Sequence, residues 1–272
     1  MPEASPKKRW ILPLASACGV IVLIGIWALV SFLLKRNGNN VVPYPWDTAW
    51  QALKFLFGAG AGGTWGNIGW TFLRLAIGYI IAFLLASLLG TLAGLYPVFR
   101  AFFRPWVGFA KAVPTAAVVI VLIGLFFGPR NVWALTFAPS FLTLMVAFPL
   151  LYEAFMRGIQ DEDPIILDAL RLDGGVRRVH AVRTVLWPDS RPYIRLALAQ
   201  SLGLSLKVSV MSEILTANSS ARAGIGGLIS LTRQDGNIEE VMAYALIALL
   251  LMLFIDIPYF LLRKERKRAK AI

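Results

Sequence analysis

The chain has 272 residues, of which 58% are hydrophobic and only 15% charged, and its formal net charge is +12 at pH 7. Soluble domains usually have about a quarter of their residues charged, so this composition excludes an ordinary soluble protein and indicates a membrane protein. On such a chain an excess of Lys and Arg marks cytoplasmic segments more often than nucleic-acid binding, and the single cysteine, Cys18, excludes an internal disulfide.

The first element follows a basic N-terminal segment, residues 1–9, and is an uncharged apolar run from Trp10 to Leu34. Secretory signal cores span only about 7–15 residues, whereas this run is long enough to cross a bilayer. We therefore interpret residues 10–36 as a retained first transmembrane helix rather than a cleaved signal peptide.

Residues 37–65 are predicted to form an external amphipathic helix and a Gly-rich linker. In PYPWDTAWQALKFLF the apolar residues recur at helical spacing, which is typical of a helix that lies in the membrane interface. That apolar face contains Trp46, Ala49, Trp50, Leu53, Leu56 and Phe57. Gly58, Gly60 and Gly63 formally match a dinucleotide-binding fingerprint, but that motif requires a preceding strand, so we interpret GAGAGGTWG as a flexible linker.

Residues 66–262 are predicted to form a core with five further transmembrane helices, because five stretches meet or nearly meet the length and apolarity needed to span a bilayer. They cover about 70–96, 108–128, 131–152, 194–216 and 241–262. A hydrophilic loop, 157–193, interrupts them, and a basic tail, 263–272, follows. On this alternating path eighteen Lys and Arg residues fall on one side and six on the other, which puts both termini and the loop in the cytoplasm. The fold class is therefore all-α, a polytopic membrane protein with six transmembrane helices.

The sequence offers little for catalysis. No G-x-x-x-x-G-K-[ST] phosphate-binding loop occurs, so any ATP would be handled by another subunit. Cys18 and His180 are the only residues of their types, so no metal-binding spacing exists. We predict that the chain is not an enzyme and binds no cofactor or metal itself.

The loop has an ordered pattern, with its acids before its arginines. Pro164 is expected to open a short helix that ends at the Gly174–Gly175 pair, since glycine readily adopts the left-handed conformation that stops a helix. A second short helix is expected from about Val176 to Leu186, ended by Trp187 and Pro188. Helices this short need a partner surface, so we favour docking of a partner over a solvated linker.

The stretch DALRLDGG followed by VLWP resembles the EAA loop of ABC-importer permeases, with one extra residue before the proline. That resemblance implies a coupling helix that sits in a groove of an ATPase subunit. The residues implied for this coupling loop are Asp168, Ala169, Gly174, Gly175, Arg177, Arg178, Val182 and Pro188.

Three further stretches, TFLRLAIGYIIAFLLASLLGTLAGLY, RPWVGFAKAVPTAAVVIVLIGLFFG and VMSEILTANSSARAGIGGLI, resemble in order the nitrate, sulfonate and taurine branch of these permeases. The resemblance implies a type I ABC importer permease fold in the bacterial plasma (inner) membrane. It implies as partners a second permease subunit, expected to be identical, nucleotide-binding ATPase subunits that hold ATP and Mg, and an extracytoplasmic solute-binding protein. The implied solute is a sulfonate, nitrate or a related oxyanion, and a thiamine-precursor pyrimidine or another small metabolite is the alternative within this branch. The rival interpretation is an ATP-independent secondary transporter.

Three ionisable residues lie within or near the predicted spans, where charge is costly and tends to face protein or water: Arg74, Lys207 and Glu213. All three are candidates for the translocation path. Arg74 alternatively reaches the membrane surface from the outer end of its helix, and Glu213 alternatively pairs with a base. Lys207 either faces a central cavity or pairs with an acid such as Asp256. The glycines of AGIGG, Gly224, Gly226 and Gly227, suit a tight outer turn, a re-entrant bend or a flexible loop.

Overall fold

The computed structural model describes residues 6–38, 41–59, 61–126, 132–176, 179–216 and 223–269. Regular structure in these ranges is helical throughout, which confirms the predicted all-α class. The elements are α1 Pro6–Arg36, α2 Pro45–Phe57, α3 Ala61–Leu95, α4 Pro97–Ala112, α5 Thr115–Phe126, α6 Val132–Gln160, α7 Pro164–Leu172, α8 Val179–Ala181, a π-helix Val182–Leu186, α9 Trp187–Asp189, α10 Arg191–Thr216, α11 Gly224–Gln234 and α12 Ile238–Ala269.

Five helices in the described part of the chain are long and apolar enough to cross a membrane, and a bent pair makes up to six. The five candidate spans are Ala17–Arg36, Gly62–Leu95, Thr136–Gln160, Arg191–Thr216 and Ile238–Ile257. The bent pair replaces the single span predicted at 108–128, because α4 and α5 meet at 90°. Pro114 disfavours helical geometry at the residue before it, and Val113 is accordingly extended, with φ −70° and ψ 126°.

The predicted amphipathic helix is present as α2, with Pro45 in its first turn. Its tryptophans Trp46 and Trp50 are exposed, whereas the opposite face packs on α12 through a stacked pair, Phe55 and Tyr244, whose ring centroids are 4.4 Å apart. Exposed aromatic side chains on one face are what an interfacial helix requires. The predicted flexible linker is wrong for its second half, since α3 begins at Ala61 and includes Gly63.

The first span is attached to the rest of the chain mainly through the segment before α2. The Trp27 indole donates to the Pro43 carbonyl at 3.2 Å, and the Ser31 hydroxyl donates to the same oxygen at 2.9 Å. Most other described side chains of α1 are exposed and apolar. The helix therefore offers an apolar surface to lipid.

The centre of the bundle is a close contact between α3 and α6. Small residues recur every four positions on α3, at Gly78, Ala82, Ala86, Gly90 and Gly94, and allow the two backbones to approach. An added Cβ would overlap Ser140 at Gly78, Tyr152 at Gly90 and Ile159 at Gly94. The hydroxyl of Tyr79 on α3 reaches α10, where it donates to the Leu198 carbonyl at 2.8 Å. This packing fixes α3 against α6 and α10, and α3 and α10 carry Arg74, Lys207 and Glu213.

Candidate functional site

The first half of the loop is a short helix, α7, as predicted. Pro164 occupies its first turn, and the Asp163 carboxylate before it accepts a hydrogen bond from the Ile165 N–H at 2.9 Å. Asp168 and Arg171 form an exposed ion pair at 2.6 Å, and Ala169 is exposed beside them. The helix therefore forms from local signals and projects most of its side chains away from the bundle.

The glycine pair ends α7 in the way the sequence predicts. Gly174 and Gly175 have φ values of 102° and 113°, which side chains with a Cβ rarely adopt. The Gly175 N–H bonds to the Leu170 carbonyl at 2.8 Å and the Asp173 N–H to the Ala169 carbonyl at 3.0 Å, so the last carbonyls of the helix are satisfied. The two arginines that follow, Arg177 and Arg178, lie outside the described residues.

The second half of the loop departs from the prediction. Among the described residues after the turn, helical geometry is present from Val179, widens into a π-helix that starts at Val182, and continues through Trp187 and Pro188 to Asp189. The expectation that Trp187 and Pro188 end this helix is wrong. A proline has no N–H and its ring crowds the preceding turn, whereas a π turn, in which the Trp187 N–H reaches back to the Val182 carbonyl, is wider and accommodates it.

Trp187 anchors this second half to the bundle. Its indole N–H donates to Thr91 Oγ1 on α3 at 3.0 Å, and its ring lies 5.8 Å from that of Phe155 on α6. Leu186 is fully buried. Close to the glycine turn, by contrast, Leu172 before it is 91% exposed and Val179 after it is 82% exposed. The loop thus has one part fixed to the helices and one apolar part presented outward.

Two of the three membrane charges form a buried ion pair. Arg74 Nη1 on α3 lies 2.9 Å from Glu213 Oε1 on α10, with side chains 5% and 0% exposed. The Thr71 hydroxyl and the Gly226 N–H both donate to Glu213 Oε2, at 2.8 and 3.1 Å. The expectation that Arg74 reaches the membrane surface is therefore wrong, because a nearby carboxylate offers the guanidinium a better environment than lipid does.

The same network holds the start of α11. Arg74 Nη1 also donates to the Ala223 carbonyl at 3.4 Å, the Ile225 N–H donates to Thr71 Oγ1 at 2.9 Å, and the Gly224 N–H donates to Asn67 Oδ1 at 2.9 Å. Gly224 has φ +78°, and an added Cβ there would overlap the Glu213 carboxylate. The Gly-rich segment is thus a short buried helix, and the flexible-loop interpretation is wrong for its described part.

Lys207 lies apart from this pair and takes the alternative partner. Its ammonium is 2.8 Å from Asp256 Oδ2 on α12, and the two side chains are 49% and 18% exposed. Gly203, one turn earlier on α10, faces the same carboxylate, and a Cβ there would overlap it. The ion pair joins α10 to α12 and leaves half of the lysine accessible, so its role in a translocation path stays a prediction.

Sequence reasoning missed the polar face of α10 that adjoins these charges. Ser201, Ser205 and Ser209 are spaced four apart and, like Ser212, are fully buried. Ser201 meets the Tyr79 hydroxyl at 2.9 Å. The spacing of four could have predicted one polar stripe on this helix. No sequence pattern marks Thr71 as a partner of Glu213 or Asn67 as a partner of Gly224.

Residues 86–267 match the family described as the binding-protein-dependent transport system inner membrane component. Two similar proteins are a "probable ABC transporter permease protein" of Brucella melitensis biotype 1 and one of Brucella abortus strain 2308. Each is 29% identical over 199 residues, which cover 72% of this chain and 74% or 73% of the relative, respectively.

Among solved structures, a chain from inward-facing conformations of the MetNI methionine ABC transporter is similar, with a TM-score of 0.53 and 18% identity. The likeness covers 75% of this chain and 94% of that one. At this identity it concerns the fold alone. It confirms the predicted type I importer permease architecture.

Proposed function

The chain belongs to the family of binding-protein-dependent transport system inner membrane components, and from this membership we propose that it is the permease subunit of an ATP-driven ABC importer. The family match over residues 86–267 carries the proposal. The 29%-identical relatives bear the same kind of name. The chain forms the translocation path and does not catalyse ATP hydrolysis. An ATP-independent secondary transporter would not be expected to belong to a family defined by a binding protein.

The proposed assembly contains two permease subunits, taken to be identical, two ATPase subunits that bind ATP and Mg, and an external protein that delivers the solute. The contact with the ATPase is assigned to the outward-facing part of the loop around Leu172, the glycine turn and Val179. Exposed apolar side chains at the end of a short helix support this assignment, since a partner groove would bury them. Arg177 and Arg178 belong to the same proposed surface by their position in the sequence.

The proposed coupling runs from the loop to the spans through Trp187. Its contacts to Thr91 and Phe155 attach the loop to α3 and α6, whose close packing makes them move together. Displacement of the loop when the ATPase subunits close would therefore tilt these helices. Such a movement of packed helices is the ordinary means by which a permease alternates between outward and inward access.

For the solute we propose a sulfonate, nitrate or a related small oxyanion, on the resemblance of residues 66–262 to that branch. The path is assigned to the charges within the spans, Arg74, Glu213 and Lys207, with Lys207 as the accessible cation, since it is half exposed beside Asp256. Sidedness follows the distribution of basic residues, with both termini and the loop cytoplasmic in the bacterial plasma membrane.

The test is reconstitution of the chain in proteoliposomes with a candidate ATPase subunit and a candidate binding protein from the same organism. We expect the ATPase to co-purify and uptake of a labelled oxyanion to require ATP inside the vesicles. A matched preparation with an ATPase variant that binds but does not hydrolyse ATP should give no uptake. Uptake by the chain alone on an ion gradient would refute the proposal in favour of a secondary transporter.

A further inference from the structure

A basic pocket lies at the loop end of the bundle, between α4 and the last two turns of α6. It has a volume of about 520 Å³, and four cationic side chains line it: Arg100, Arg104, Lys111 and Arg157. Among the described residues of its wall Glu153 is the one acid, and it pairs with Lys111 and, at 3.7 Å, with Arg157. The pocket therefore carries an excess of positive charge.

Arg100 and Arg104 account for most of that excess. Among the described residues, no carboxylate lies within 4 Å of either guanidinium. Both line the pocket from the same side of α4, one turn apart. Guanidinium groups in this arrangement match the oxygens of a phosphate.

The wall of the pocket also contains a buried hydroxyl with no partner. Tyr152 is 2% exposed, and no hydrogen-bonding group of the described chain reaches its OH. Leaving a buried polar group unsatisfied costs free energy. A ligand oxygen in the pocket would supply the missing partner.

The surroundings indicate that the ligand is amphiphilic. The face of α4 away from the pocket exposes Phe102, Trp106 and Phe109, as expected of a basic helix that lies in the membrane surface. A second pocket of about 420 Å³ shares Lys111 with the first and continues along apolar side chains of α5, α6 and α10, among them Met145 and Leu204. Cationic and apolar spaces thus adjoin at Lys111.

We propose that the basic pocket binds the phosphate of an anionic phospholipid from the leaflet on the loop side, with an acyl chain in the apolar pocket. Arg100 and Arg104 hold the phosphate, and the Tyr152 hydroxyl donates to one of its oxygens. The cytoplasmic leaflet is the anionic one that basic pockets between spans recognise. This site lies outside the proposed transport function and rests on that proposal only for the cytoplasmic sidedness of the loop.

The test is retention of lipid by the purified full-length chain, measured by native mass spectrometry after delipidation and addition of phosphatidylglycerol or phosphatidylcholine. We expect preferential retention of phosphatidylglycerol. The double variant R100Q/R104Q should lower it by about fivefold for each arginine, since a basic residue at the membrane surface contributes about 1 kcal/mol. The control R36Q/R233Q removes the same charge at exposed positions elsewhere and should retain lipid as the parent does.

A third variant, Y152F, keeps the packing of the ring and removes only the hydroxyl, so its fold is expected to be intact. Retention should fall a few-fold, as for one lost hydrogen bond. Equal retention of the two lipids, or an equal loss in R36Q/R233Q, would overturn the proposal. Displacement of phosphatidylglycerol by an equal concentration of inorganic phosphate would also overturn it, because the site would then recognise a free oxyanion.

Discussion

The ion pair between Arg74 and Glu213 allows the sharpest test of how this bundle is held together. The two charges lie on α3 and α10, 2.9 Å apart and almost fully buried. Replacing either by Met keeps a long side chain in place and removes one charge. We predict that R74M and E213M each destabilise the fold strongly, and that the double variant R74M/E213M is less destabilised than the sum of the two.

The expected magnitude follows from the contacts of the carboxylate. Glu213 accepts from Arg74, Thr71 and the Gly226 N–H, so E213M removes three hydrogen bonds and leaves a guanidinium in the interior without its carboxylate. Breaking a buried ion pair from one side costs about 3–5 kcal/mol. In the double variant both charges are gone, so the coupling free energy should reach about 2 kcal/mol.

The assay is equilibrium unfolding of the purified chain in mixed micelles, titrated with a denaturing detergent and followed by far-ultraviolet circular dichroism. The pair of Lys207 and Asp256 is the matched control, since it also joins α10 to another helix at 2.8 Å but is partly exposed. The cycle K207M, D256N and K207M/D256N should give a coupling of about 1 kcal/mol or less.

Equal coupling free energies in the two cycles would contradict this prediction. So would an E213M variant whose free energy of unfolding lies within about 1 kcal/mol of the parent's, well below the cost of a broken buried pair. Either result would mean that burial of the ion pair does not determine how much it contributes to the free energy of unfolding.

Three further predictions concern coupling and the path. The variant G174V/G175V forces side chains into positive φ at both positions. It should insert into the membrane normally, while ATP hydrolysis by the reconstituted complex proceeds without uptake. A normal ratio of transport to hydrolysis would contradict the assigned role of the turn. W187F and T91V each remove the same 3.0 Å hydrogen bond, so both should lower that ratio by a similar factor, and unequal effects would argue against a shared contact. K207M should weaken uptake and change selectivity among oxyanions in transport assays; unchanged affinity and selectivity would remove Lys207 from the path.

Local features of this protein could be predicted wherever a short stretch carries its own signal. Pro164 and the glycine pair bound α7 as predicted, because caps and positive φ depend on neighbours in the chain. Pro114 was an equally local signal for the break between α4 and α5. The apolarity of residues 108–128 concealed it, since hydropathy averages over a whole window.

The partners of the charges could not be predicted in the same way. Arg74 and Glu213 are separated by 139 positions, and their contact depends on how α3 packs on α10. Pro188 could not be placed correctly from its neighbours either. A proline is expected to end a helix, but here the helix continues through it after a π turn. The basic pocket exists only because α4 folds back beside α6.

Composition, periodicity and glycine geometry act over a few residues, so the class of this protein, five of its six predicted spans, its interfacial helix and the turn of its loop could be predicted from the chain. The bend between α4 and α5, the pairing of Arg74 with Glu213 and of Lys207 with Asp256, and the attachment of the loop through Trp187 depend on the folded bundle. A buried charge or a polar indole takes its partner from whichever helix lies within about 3 Å, and that neighbour is set by the packing of the whole bundle.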